Sequence, residues 1–210
     1  MLATLAIFCA LLASPDPITV DKRPPTTQYV DFDPAHPPAD VEKLQHGEDA
    51  LTRMLFNCSV KLKYNVVSKT NRDGKWRVVA ELSEVKLTLD LKNTIYLPKN
   101  APDKLRAHEM GHARINGMIY EKAREAATEA AQHAMNRTWE GEGTDLDAAG
   151  KAATDSAVNE ICRDYLKSTA DRAFRIGEIY DDLTKHGTNA TTIDDAIREA
   201  VQKEAEEKPR

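Results

Sequence analysis

Leu105-Arg106-Ala107-His108-Glu109-Met110-Gly111-His112-Ala113-Arg114-Ile115-Asn116-Gly117-Met118-Ile119 decides how the chain is read. Leu105, His108, His112, Ile115 and Ile119 recur at i, i+3, i+7, i+10 and i+14, so both imidazoles lie on the inward stripe of an amphipathic helix. Residues four apart stand one turn above each other, and two histidines so placed can reach one zinc ion at about 2.0–2.1 Å. Glu109 then falls beside the metal, where it can take a proton from a zinc-bound water and return it to a leaving amine. An inward histidine pair left without partners would cost about 1–3 kcal/mol per unsatisfied group, and a metal removes that cost. Gly111 costs about 1 kcal/mol against Ala inside a helix, which makes sense where another group packs close.

Working outward, Asp103 is the expected N-cap of a helix reaching about residue 136. Upstream, Val60, Leu62, Tyr64 and Val66 alternate with polar residues, as a half-buried strand does. Asn71-Arg72-Asp73-Gly74 carries the Asp-Gly hairpin signal, and Trp76, Val78 and Ala80 alternate on the return. Val85, Leu87, Leu89 and Leu91 predict a third strand and Thr94 to Leu97 a short fourth. Apolar residues between Asp40 and Asn57 recur at helical spacing. Downstream, Trp139 to Asp147 reads as a loop, followed by helices over about 148–185 and 191–206. Strands first and helices afterwards predict an α+β fold, zincin-like, with a small antiparallel sheet followed by long helices that carry the His-Glu-x-x-His site.

Residues 2–13 are almost wholly apolar, too short a run to span a bilayer, and predict a secretory signal over residues 1–14. Seven prolines between Pro15 and Pro38 predict an extended arm over 15–39, because proline excludes both helix and central strand. The catalytic domain is expected over 40–190, with a C-terminal helix and charged tail over 191–210. Cys58 and Cys162 remain once the signal is removed, an even pair in an oxidising compartment, which leaves a disulfide or two buried thiols open. The 210-residue chain has a net charge of −5, 6% aromatic residues and no Lys/Arg block, which gives nucleic acid neither an electrostatic nor a stacking footing.

The third metal ligand lies outside the pentapeptide. Met118 occupies the position where a metzincin carries its third histidine. His133 is about 30 Å further along the helix axis. Glu160, in a loose Glu-x-x-x-Asp pattern ending at Asp164, and His186, just before Gly187, stand level as candidates on the residues alone.

Three motifs are similar to those of a known family. His108-Glu109-Met110-Gly111-His112, the preceding Ile95-Tyr96-Leu97-Pro98 and the later Tyr180-Asp181-x-x-Thr184-x-His186-Gly187 resemble a family of bacterial secreted proteins, domain-of-unknown-function family 922, described as zinc-dependent proteases. The family has Gln at the middle of its pentapeptide, where this chain has Met110, and the resemblance covers about residues 40–190. It implies that His186 is the third zinc ligand and that Tyr180 lies near the site.

The expectation is therefore a secreted or periplasmic zinc metallopeptidase acting on peptide or protein substrates. His108, His112 and His186 bind the zinc, Glu109 activates water and Tyr180 donates to the oxyanion. No nucleic-acid partner and no membrane span after signal removal are expected. The rival expectations are a zinc-containing binding module without catalysis and a metallo-amidase acting on cell-wall peptide.

Overall fold

A computed structural model describes residues 16–39 and 49–207. The predicted signal over 1–14 lies outside the described residues, as do residues 40–48 of the predicted helix over 40–57.

The frame is a hairpin of two strands far longer than the sequence pattern suggested. β3 runs Leu51–Arg72 and β4 runs Lys75–Pro98, paired antiparallel across the Asp73-Gly74 turn, where both residues have positive φ. The three strands expected after that turn are one strand. Ser83 is an extra residue in β4, since Lys63 pairs with Glu84 and Tyr64 with Leu82. Such a bulge flips which face a side chain points to. The inward residues are therefore Val78, Ala80 and Leu82 before it, and Val85, Leu87, Leu89 and Leu91 after it.

Leu51 to Asn57, expected as the end of a helix, are the start of β3. Met54 and Phe56 turn toward the helices, whereas Leu55 is exposed on the other face. Apolar side chains on both faces give a strand the look of helical spacing.

Residues of the proline-rich arm supply β1 (Ile18–Lys22) and β2 (Thr26–Phe32). Both pair in parallel with β4, β1 alongside Val85 to Leu89 and β2 alongside Lys92 to Pro98. Pro17 precedes β1, Pro24 and Pro25 lie between β1 and β2, and Pro34 follows β2, so none has to donate within a strand ladder. β5 (Thr138–Gly143), within the expected loop, pairs antiparallel with Trp76 to Glu81 of β4. β5, β1 and β2 thus share one edge of β4 in succession, and β3 takes the whole of the other.

The expected zincin-like fold with a small antiparallel sheet is therefore corrected. The fold is α+β on a five-stranded sheet in which two of the four pairings are parallel. The reason is physical: an extended, proline-punctuated segment docks on the open edge of β4 instead of trailing into solvent.

Among the described residues five helices cover one face of the sheet. α1 (Asp103–Glu121) and α2 (Ala123–Met135) replace the single long helix expected, broken at Lys122, and the N-cap of α1 is Pro102, not Asp103. α3 (Leu146–Ser168) and α4 (Ala170–Thr184) meet at Thr169, and α5 (Ile193–Glu207) packs on α4 and α1. Asp145 caps α3 by accepting from the Ala148 amide at 2.8 Å. The core lies between the inner sheet face and these helices, with Ile115, Ile119, Ile161, Tyr165 and Ile176 buried against it. Cys58 of β3 and Cys162 of α3 form a disulfide, with Cα atoms 5.6 Å apart. Among the described residues no helix is long and apolar enough to cross a membrane.

Candidate metal centre

α1 packs on β3 and β4 of the sheet, and α4 packs on α1. Asn116 of α1 donates to Asn93 of β4 at 2.9 Å, a buried polar pair that fixes the rotation of the helix. That rotation turns Leu105, His108, Glu109 and His112 into a cleft of about 1030 Å³ between α1, α4 and the first residues of β3. Close contact with α4 comes from missing side chains. A Cβ on Gly111 would collide with the Tyr180 hydroxyl, and one on Gly187, itself at φ 76°, would lie 2.8 Å from the His108 Cβ. The helical glycine that the sequence left unexplained is thus where Tyr180 enters.

Three ligand atoms converge in the cleft. Asp181 Oδ1 lies 3.1 Å from His108 Nε2 and 2.9 Å from His112 Nε2. His108, His112 and Asp181 form a set whose donor atoms all fall within 4.8 Å of one another. Burial works against the Asp181 charge, but hydrogen bonds and charge from His108 and His112 outweigh it and hold the carboxyl well below the usual range.

The orientation of His108 is one that a cation could use. Its Nδ1 faces the buried Thr184 hydroxyl at 3.3 Å. That hydroxyl donates to the Tyr180 carbonyl at 2.8 Å, which leaves its lone pairs able to accept from the ring. In the tautomer with its proton on Nδ1, His108 turns its Nε2 lone pair toward Asp181 Oδ1, as a metal ligand must; in the other tautomer Nε2–H donates to that oxygen. A divalent ion between an Nε2 lone pair and the carboxylate oxygen would be ligated by both. Two imidazoles and one carboxylate are a donor set that can hold a metal ion.

Glu109 is 5% exposed, and its Oε2 accepts from the Thr52 hydroxyl of β3 at 2.6 Å. Burial pushes its carboxyl above the ordinary value, against the pull of His112, Thr52 and His108. A buried carboxyl beside the three-residue set is placed to accept and return a proton.

The other residues named from the sequence are placed differently. Tyr180 is fully buried and absent from the cleft lining. Its ring stacks on His108 at 5.0 Å and meets His112 edge-on, and its hydroxyl donates to the His108 carbonyl at 3.2 Å. It backs the two histidines, with its hydroxyl turned to the His108 carbonyl and not into the cleft. His186 lines the cleft, but its Nδ1 is 3.9 Å from Asp181 Oδ1, outside the three-residue set. Glu160 lies in a separate groove, paired with Arg137 and Arg163. His133 is exposed on α2.

No family model, curated protein or solved structure matches the chain. The site therefore stands on its own geometry.

Sequence reasoning missed Asp181, Thr184 and Thr52. Asp181 and Thr184 were quoted within the motif after Tyr180, and their spacing was the available signal. Ala173, Gly177, Tyr180, Asp181 and Thr184 put small and polar residues on one face of α4. Nothing local marked Thr52. Thr184→Val keeps the side-chain volume and removes the acceptor for His108 Nδ1. It is expected to weaken zinc binding by about 10–100-fold, measured by competition with a chromophoric chelator.

Proposed function

We propose that the chain is a zinc-dependent peptidase, exported to an oxidising compartment, in which His108, His112 and Asp181 hold the metal and Glu109 is the general base. The supporting observation is the convergence of His108 Nε2, His112 Nε2 and Asp181 Oδ1 beside a buried carboxyl, in an open cleft. When bound, zinc supplies a Lewis acid that lowers the pKa of water from 15.7 to about 7.

The protein's own residues do the rest. Glu109, steadied by Thr52, takes the proton of the attacking water and delivers it to the leaving nitrogen. Thr184 and Tyr180 fix the rings of the two histidines. Leu51, Thr52 and Met54 of β3 line the cleft, and among the described residues β3 pairs only with β4. An extended peptide can add to that edge as a further strand, with its carbonyls passing the metal centre. The Cys58–Cys162 disulfide supports export, since such bonds persist in oxidising compartments. Membership of the secreted family whose motifs the chain resembles belongs to the same proposal.

The test is digestion of an unbiased peptide mixture by the purified protein, read by mass spectrometry. Cleavage is expected, abolished by 1,10-phenanthroline and restored by added zinc. Stoichiometric zinc with no cleavage of any peptide would replace this reading with that of a metal-stabilised binding module.

A further inference from the structure

The turn that ends α4 is strained beyond what closing a helix requires. One left-handed residue, usually glycine, closes a helix C-terminus. Here Lys185 and His186 both adopt left-handed backbone, at φ 50° and 51°, before Gly187. Each non-glycine residue there carries a steric cost, and such strain persists only where the surroundings over-determine it. The surroundings do so. The His186 amide donates to the Asp181 carbonyl at 3.2 Å, and the Thr188 amide and hydroxyl both donate to the Lys185 carbonyl. Asn189 N donates to the Thr184 carbonyl at 3.1 Å, and Lys104 Nζ of α1 donates to the Thr188 carbonyl at 2.7 Å.

The product of this strain is the position of one ring. His186 is held at the cleft, half exposed, with Nδ1 3.9 Å from Asp181 Oδ1. That separation exceeds a hydrogen bond but is short enough to reach an oxygen lodged beside the three-residue set.

We propose that His186 is a catalytic oxyanion donor and not a metal ligand. Its Nδ1–H hydrogen-bonds the carbonyl oxygen of the scissile amide as that oxygen becomes negative. The inference rests on the hydrolase reading above. As water adds to the carbonyl carbon, the C=O π pair moves onto oxygen and the water proton passes to Glu109. His186 keeps its proton throughout. When the C=O bond re-forms, the C–N bond breaks and the amine leaves with the proton returned by Glu109. A fixed donor aimed at developing charge acts without reorganisation, and removing one typically lowers kcat by about 10²–10³-fold. The strained turn fixes the backbone that carries this donor at the cleft.

The test compares wild type with His186→Asn, since Asn tolerates left-handed backbone while drawing the donor back, and with His186→Ala. Cobalt-loaded protein gives a readout independent of turnover. Both variants are expected to bind one cobalt with wild-type affinity and an unchanged resting visible spectrum. Their affinity for acetohydroxamate, a mimic of the two-oxygen intermediate without side chains, is expected to fall at least tenfold. With zinc, kcat is expected to fall about 10²-fold and KM to change less than threefold. An altered resting cobalt spectrum, or metal affinity reduced 100-fold or more, would make His186 a ligand and overturn the proposal. Unchanged acetohydroxamate affinity would overturn it as well. If wild type binds acetohydroxamate in a His186-dependent way but cleaves no peptide, the peptidase reading falls and the donor assignment stands.

Discussion

Glu109→Gln is expected to leave one zinc bound per chain and to lower peptide hydrolysis by about 10²–10⁴-fold, the range a positioned general base contributes. The substitution isolates proton transfer because Gln matches Glu in shape. The Thr52 hydroxyl, which donates to Glu109 Oε2 at 2.6 Å, can donate to the amide oxygen in the same way. Glu109 is not in the ligand set, so the metal donors are untouched. The neutral amide also relieves the burial that pushes the Glu109 carboxyl upward, so the variant is expected to unfold no earlier than wild type. Zinc content by mass spectrometry, thermal unfolding and steady-state rates on one cleaved peptide check the three parts. A kcat within threefold of wild type, with zinc retained, would remove Glu109 from the mechanism and leave the cleft without a base.

What the sequence showed of this site depended on how far apart the cooperating residues lie. His108, Glu109 and His112 share one helix face, so a 3.6-residue period was enough to bring them together. Gly111 was legible as a residue with a reason, but the reason, Tyr180, lies on α4 and needed the fold to be seen. The third donor shows a related limit. His186 is the stronger metal donor on residue type, and a turn after a helix gives no spacing rule for where its ring ends up. Asp181 sits on the regular part of α4, so its direction is fixed by the same period that puts Tyr180 and Thr184 against α1. Reading that face as a unit finds it, whereas ranking residue types does not.

The sheet was legible in its pattern and illegible in its extent. Alternation from Val85 to Leu91 was read as a strand, which it is, but two features cut the strand into pieces. The bulge at Ser83 inverts the alternation between Leu82 and Val85. Asn93 places an amide at an inward position, satisfied only because Asn116 of α1 meets it. The parallel pairing of β1 and β2 had no local signature. Ile18 and Val20 alternate over five residues, and the prolines around them dominate the composition. Those prolines correctly excluded a central strand, yet they permit short strands at a sheet margin.

Asp181→Ala is expected to abolish zinc-dependent stabilisation, the largest effect on the metal centre of any single change outside the two histidines. Losing an outer partner of a ligand weakens a metal site by about 10–100-fold, and losing a ligand costs more. The consequence for stability follows from mass action. A ligand at a hundred times its dissociation constant adds about 2.7 kcal/mol, so wild type should melt higher as zinc is raised. Asp181→Ala should melt at one temperature whatever the zinc concentration. The contrast with His186→Asn is decisive, because two histidines and one carboxylate predict that His186→Asn keeps the zinc-induced shift in full. The opposite pair of results, a shift kept in Asp181→Ala and lost in His186→Asn, would restore His186 as the third ligand. The strained turn would then serve ligation, not oxyanion binding. Because neither residue lies in the hydrophobic core, with Asp181 and His186 at 25% and 52% side-chain exposure, both variants should fold. The two melting series then compare metal binding and nothing else.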